Sequence, residues 1–388
     1  MADDAEPVRT IESLLTAREI VVTCGSGGVG KTTTAAALGA MAATTIGGKV
    51  LVLTVDPAKR LANALGLEEF GNVETRVPTE LFSAAGVEPR GELWAAMLDT
   101  KQSWDELVKR HAPDLKTREQ ILANPLYQNV TGKFVQSHDY IAMERLYEIH
   151  SSGRYDLIVV DTPPTRNALD FLEAPERMAD FFSSRLLRWL IAPYRSRVLN
   201  TMSKPFYSIA DRILGSQFLE DVAEFFILFQ SMYEGFVERA RAVERTLADH
   251  RTTFIVVSTL EASPVREAEF FIDALGKKKF NLGAVVLNKV LPSYFLDEAA
   301  TASAKLLESD AAKVAAQLPE NLGPRDNVER VLHEVGESFL KYRVVATREA
   351  EQRAELASAP DVVATAPFFD RDIFDLAGLL KLGKQIWS

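Results

Sequence analysis

The chain is poor in sulfur: of 388 residues only one, Cys24, is a cysteine. A single thiol can neither close an internal disulfide nor supply a CxxC pair to zinc, and it points to a reducing compartment. The five histidines (His111, His138, His150, His250 and His333) show no HxxxH or similar spacing, so no structural metal is expected. Long apolar runs are missing as well. Segments such as 225–229 and 255–257 are core-sized, far short of the ~20 residues of a membrane span. The opening residues, MADDAEPV, lack the basic and apolar regions of a secretory signal, so the expected location is the cytoplasm. Basic charge is in deficit, with 44 Lys and Arg against 54 Asp and Glu. That balance argues against bulk binding to nucleic acid or to anionic membrane. What remains is ordinary globular composition, 47% hydrophobic and 25% charged, which excludes a mostly disordered chain.

What is present is an alternation of short apolar runs and helical stretches. Strands are expected at 19–23, 49–55, 155–160, 253–258, 283–287 and 361–366. Their continuous apolar character predicts burial on both faces, hence an α/β fold with a doubly wound, mostly parallel sheet. The helical stretches predict a subdomain formed by about 91–150 and 169–250, and a charged C-terminal excursion at about 296–357. Residues 1–388 are thus read as one domain with helical insertions.

The sharpest local signal is Gly25-Ser26-Gly27-Gly28-Val29-Gly30-Lys31-Thr32, which matches GxxxxGK[ST], the P-loop of an NTPase. Glycines let the loop wrap phosphate oxygens and aim successive N–H groups inward. Lys31 is expected to reach the β and γ phosphates, and the Thr32 hydroxyl to ligate Mg²⁺. Thr33 completes the phosphate-binding run at the positive end of the following helix. A chance glycine-rich turn would not require a strand before it and a helix after it, and both are expected here.

Two further acidic residues close strands. Asp56 follows the second strand, where it could orient a water or simply form an Asp-Pro turn. Asp161 ends the third, where it could hold Mg²⁺ through its water shell or again sit in a turn. Asn288-Lys289-Val290-Leu291 lacks the Asp of a guanine-reading NKxD, which favours ATP over GTP.

These motifs together resemble one family. GGVGKTT resembles the deviant Walker A loop of partition, nitrogenase-iron-protein and arsenite-pump ATPases, whose usual form is GKGGVGKT[ST]. Asp56-Pro57-Ala58-Lys59 is similar to that group's DPAH, and the segment from Asp161 to Ala168, DTPPTRNA, to DTAPTGHT. The sequence is identified as a member of the ATPases that include the arsenite pump ArsA and the targeting factor for tail-anchored membrane proteins. It looks most like the long, actinobacterial-type members. The resemblance implies a dimeric Mg²⁺-dependent ATP hydrolase in which Lys31, Asp56 and Asp161 are catalytic. It also implies that Asn288 meets the adenine edge and that Pro367 and Phe368 close over the base.

Two departures stand out. The family's signature lysine, which reaches the partner's nucleotide, is Ser26 here, so the expected partner is either a second copy or a paralogous ATPase that keeps the lysine. A non-catalytic or slow regulatory subunit of such a heterodimer is the alternative. The thiols of arsenite sensing and the CxxC of zinc-bridged dimers are also missing.

Twelve of the 34 aromatic residues fall between positions 178 and 236. Phe218, Val222, Phe225, Phe226, Phe229, Met232, Tyr233 and Phe236 recur at helical spacing. They read either as subdomain core or, by resemblance, as a surface for a hydrophobic client. The amphipathic stretch 373–387, with Lys381, Lys384 and Trp387, leaves a membrane-associated partition-type ATPase as a further alternative.

Overall fold

A computed structural model describes residues 10–55, 60–67, 71–130, 135–162, 177, 180, 222, 224–229, 232–356, 360 and 362–387. Its frame is one eight-stranded sheet: β1 (Ile20–Cys24), β2 (Lys49–Thr54), β3 (Thr75–Arg76), β4 (Glu92–Met97), β5 (Leu157–Asp161), β6 (Thr252–Ser258), β7 (Leu282–Val290) and β8 (Val362–Pro367). The order is β3-β4-β2-β5-β1-β6-β7-β8, and only the edge pair β3–β4 is antiparallel. β1, β5 and β6 are buried at every position, as expected of parallel strands covered on both sides.

Successive side chains alternate between the two faces of the sheet. On one face Val21, Val52, Val159 and Val257 meet the helix Lys31–Thr45, the short N-terminal helix Ile11–Thr16 and the helix Leu376–Trp387. On the other, Val22, Leu53, Val160 and Val256 meet the helices Thr100–His111, Val135–Ser151, Tyr233–Ala248 and Ala262–Lys278. Helix starts follow local chemistry. Asp99 and Asp114 accept hydrogen bonds from the backbone N–H of Gln102 (2.7 Å) and Thr117 (2.8 Å), capping Thr100–His111 and Leu115–Ala123.

The stretch read as helical from residue 91 requires a correction at its start. Glu92–Met97 is strand β4, in parallel register with β2 from Lys49↔Glu92 to Thr54↔Met97. Leu-Trp-Ala-Ala-Met contains good helix formers and no β-branched residue. Burial beside β2 overrides that weak local preference. Helix begins at Thr100. Residues 298–356 form the helices Glu298–Ser309, Ala311–Gln317 and Arg325–Leu356, inserted between β7 and β8.

Two expected surfaces are covered. Phe225, Phe229, Met232 and Phe236 lie in the core with Trp104, Tyr127 and Tyr140. The rest of the aromatic-rich run, from 178 to 221, falls outside the described residues apart from Asp180. The apolar side of Leu376–Trp387 packs on the helix Lys31–Thr45, so close that a Cβ on Gly383 would stand 2.2 Å from Met41 Cγ. That face is not free to lie on lipid. No helix among the described residues is long and apolar enough to cross a membrane.

Candidate functional site

The P-loop residues connect β1, at the centre of the sheet, to the helix Lys31–Thr45. Gly25, Gly28 and Gly30 all have positive φ (145°, 81° and 98°), backbone that side chains rarely adopt. At two of them space is also limiting. A Cβ on Gly25 would lie 2.1 Å from the Val257 carbonyl oxygen, and one on Gly30 would lie 2.3 Å from Asn288 Nδ2. Around Gly28 there is open room. Gly30 caps the helix without any side-chain hydrogen bond, which leaves the N-terminal end of the helix dipole to the loop.

Lys31 is buried, and its ammonium donates to the Ser26 carbonyl at 2.8 Å, folding the side chain back over the loop. Thr32 and Thr33 follow it, both half-buried. Ser26 is buried, and its Oγ has no hydrogen-bond partner; the Thr34 hydroxyl in the first helical turn is in the same condition. Unsatisfied hydroxyls are costly inside a protein unless something polar meets them. Left-handed glycines, an open cap, a buried cation and orphaned hydroxyls together fit a multiply charged phosphate group. Val29 contributes its backbone: its side chain is core, while its carbonyl accepts from Asn288.

Asp161 ends β5 beside this loop and is fully buried. It pairs in register with Thr23 of β1 and Thr54 of β2, and its Oδ2 accepts from the Thr54 hydroxyl at 2.8 Å. Thr162 locks the turn that follows, its hydroxyl donating to the Thr23 carbonyl at 2.9 Å. The Asp161 carboxylate and, on the loop side, the Thr32 hydroxyl are each the kind of oxygen donor that suits Mg²⁺, which keeps several waters and takes phosphate oxygens as further ligands. No group of three or more His, Cys, Asp or Glu able to hold a metal occurs among the described residues. Asp56 lies outside the described residues. Its neighbour Val55 donates its N–H to the Asp161 carbonyl, so the chain leaves β2 at the Asp161 end of the sheet.

Asn288, near the end of β7, is buried. Its Nδ2 donates to the Val29 carbonyl at 2.8 Å, and its Oδ1 accepts from Lys289 N–H at 2.9 Å. One amide donor and one oxygen lone pair remain, a combination that matches the adenine edge. Lys289 holds φ at 58°, an uncommon conformation for a side-chain-bearing residue. Pro367 pairs with Val290 at the end of β8, and the next N–H, that of Phe368, donates to the Val290 carbonyl. The Phe368 ring is 61% exposed, an open aromatic face beside the Asn288 turn. Cys24 is buried at the end of β1, and burial raises its thiol pKa well above the ordinary value.

The structure therefore gathers the loop residues, Asp161, Asn288 and the Pro367–Phe368 turn at the carboxyl ends of neighbouring strands, where α/β sheets bind ligands. Thr54 is the site residue that sequence reasoning misses, and the left-handed backbone of Lys289 is likewise not legible in its motif. Thr54 looks like any strand threonine until register sets it against Asp161.

The sequence model of the anion-transporting ATPase family matches residues 18–323. The chain is similar to the ATPase GET3 of Malassezia globosa, 27% identical over 295 residues, 74% of this chain and 78% of that protein. It is similar to an ATPase ASNA1 homolog of Entamoeba dispar, 25% identical over 299 residues, covering 74% and 81%. A protein of Chlorobaculum tepidum named as an arsenical pump-driving ATPase is 25% identical over 279 residues, 70% of this chain. The match spans 61% of that relative's own length.

Proposed function

The chain belongs to the anion-transporting ATPase family, and from that membership we propose that it binds ATP·Mg²⁺ and hydrolyses it to ADP and phosphate as part of a dimer. The observation that carries this reading is the buried Lys31 ammonium held on the Ser26 carbonyl within a loop of left-handed glycines. Exchanging that carbonyl for β and γ phosphate oxygens gives the cation a stronger partner. Loop N–H groups and Lys31 then stabilise charge on the transferred phosphoryl group. Thr32 and Asp161 would hold Mg²⁺, which shields phosphate charge. Asp56 would position the attacking water. Asn288 selects adenine, and Pro367 and Phe368 cover the base.

In the same reading, hydrolysis is coupled to a hydrophobic client or membrane partner, and the aromatic-rich sequence from 178 to 221, which lies outside the described residues apart from Asp180, is the candidate segment. The test is single-turnover hydrolysis. Lys31→Ala lowers the rate by about 10²–10³-fold, the scale of losing one charge-stabilising group. Asn288→Ala weakens ATP without lowering the rate at saturation. Unchanged hydrolysis in Lys31→Ala would sink the assignment.

Ser26 supports a second reading, a heterodimer with a paralogous ATPase that supplies the missing lysine. A buried, partnerless hydroxyl stands where a cation would otherwise extend. Turnover by the chain alone should then be slow and should rise in Ser26→Lys. Fast turnover indifferent to that change would rule out the heterodimer.

A further inference from the structure

The helix Arg325–Leu356 carries an apolar stripe that its own fold covers only in part. One side of the helix is turned inward, with Gly336 and Ala346 buried and Leu332, Phe339 and Arg343 half-buried. Adjacent to that side, Val331, Val335 and Tyr342 are each 52% exposed and Val345 45% exposed, with exposed Ser338 between them. Positions 331, 335, 338, 342 and 345 advance by four, three, four and three. That is the seam of a left-handed coiled coil, and its natural partner is another helix. Isolated exposed apolar residues need no explanation, but a seam at heptad spacing does.

We propose that this seam pairs antiparallel with the same helix of a second copy of the chain, about a two-fold axis near residue 340. Self-complementarity identifies the occupant. In this register Val335 meets the partner's Val345, and small Ser338 faces the partner's large Tyr342. The two-fold repeats each pair, as an isologous contact must. The flanking charges agree as well. Exposed Glu334 lies opposite the partner's Arg348, and its nearest cation within the chain, Arg330, is 4.0 Å away. Lys341 meets its own symmetry mate, but Glu337 on the same helix already holds its ammonium at 2.6 Å.

The seam also reaches toward the nucleotide side. Tyr342 packs against Phe295, with ring centroids 5.4 Å apart. Glu349, one heptad beyond Tyr342, accepts from Leu291 N–H at 3.0 Å, just past the Asn288–Lys289 turn. Pairing of the two helices would therefore brace the strand that carries Asn288. The inference rests on the helix alone and does not depend on the nucleotide reading.

Cysteine pairing reads this contact and its direction. The native thiol of Cys24 is buried, so introduced cysteines are the ones that react. The full-length Val335→Cys/Val345→Cys variant, oxidised without nucleotide, should give a covalent dimer. Val335→Cys alone should not, because antiparallel pairing separates the two copies of residue 335 by roughly 15 Å along the axis. Sedimentation equilibrium supplies the second measurement. Val335→Glu/Tyr342→Glu should raise the dimer dissociation constant at least tenfold with an unchanged far-ultraviolet spectrum. No cross-link in the double-cysteine variant, cross-linking by Val335→Cys alone, or an unaltered dissociation constant in the glutamate variant would each overturn the proposal.

Discussion

The two faces of the sheet are built from different materials. On the face that carries the P-loop helix, the core is mainly aliphatic and small: Ala35, Ala36, Ala37, Ala40, Ala42 and Ala43 are nearly inaccessible. Backbones approach closely there, and a Cβ on Gly39 would stand 2.3 Å from Val52 Cγ2. The opposite face is aromatic. Phe225 and Phe229 have ring centroids 4.6 Å apart, Phe229 stacks on Phe236 at 5.7 Å, and Trp104 stacks on Tyr140 at 5.9 Å. Short side chains have few rotamers to exchange, so the first face holds the helix and its loop in one position. Large rings fill the wider space under the helical layer and contribute burial more than positional control. The phosphate recognition proposed for the loop, which would depend on backbone N–H groups placed to within a fraction of an ångström, sits with the small residues.

This contrast is sharpest under opposite substitutions. Phe236→Ala removes a fully buried ring from the aromatic face and should cost about 3–5 kcal/mol, read from the urea midpoint. ATP affinity should hold within about twofold, because the loop's supports lie across the sheet. Simultaneous loss of stability and affinity would show that the faces are not separable. Gly39→Ala works the other way. Within a helix this exchange usually gains up to about 1 kcal/mol. Here the new methyl meets Val52, whose branched side chain has little freedom to turn, and a net cost of about 1–3 kcal/mol is expected. Displacement of the helix should weaken ATP as well. A stabilised variant would break the idea of a close-packed phosphate face.

Legibility divides along physical lines. The β1–loop–helix unit was readable because its signals are local: a continuous apolar run, glycines where φ is positive, and lysine at the helix start. The parallel sheet followed from strand composition in the same way. β4 was not readable, because Leu-Trp-Ala-Ala-Met becomes a strand only through its neighbours β2 and β3. Thr54 was invisible for a related reason, since its partner Asp161 is 107 residues away in sequence. Helical spacing puts Phe225, Phe229, Met232 and Phe236 on one apolar side, and all four are core, but it could not say what lies against them. Trp104, Tyr127 and Tyr140, from a segment a hundred residues earlier, decide that.

The smallest effect expected concerns charge on the aromatic side. A cavity of about 340 Å³ opens between the helices Thr100–His111, Val135–Ser151 and Tyr233–Ala248, lined by Arg110, His111, Glu144, Arg145, Glu148 and Arg239 among others. Arg145 pairs with Glu148 at 3.1 Å and Glu74 at 3.3 Å, while Arg239 pairs with Glu144 and Arg110 with Glu148. His111 is pushed down to about 4, first by burial and then by the Arg239 and Arg110 cations, with Glu148 opposing them. In the unfolded chain the ring titrates near 6.5. Between these values the unfolded state binds a proton that the native state refuses. The ring's contribution to stability is therefore complete above about pH 6.5 and is lost as pH falls toward 4. With the ring partly exposed to water, the loss is on the order of 1–2 kcal/mol. Burial raises the Glu144 pKa and acts in the opposite direction, so the measurement must be a difference between two chains. His111→Gln and the parent should share a urea midpoint at pH 7.5. At pH 4.5 the variant should retain about 1–2 kcal/mol more. Equal losses in both chains would mean that the charged cavity does not set the acid sensitivity of the aromatic face.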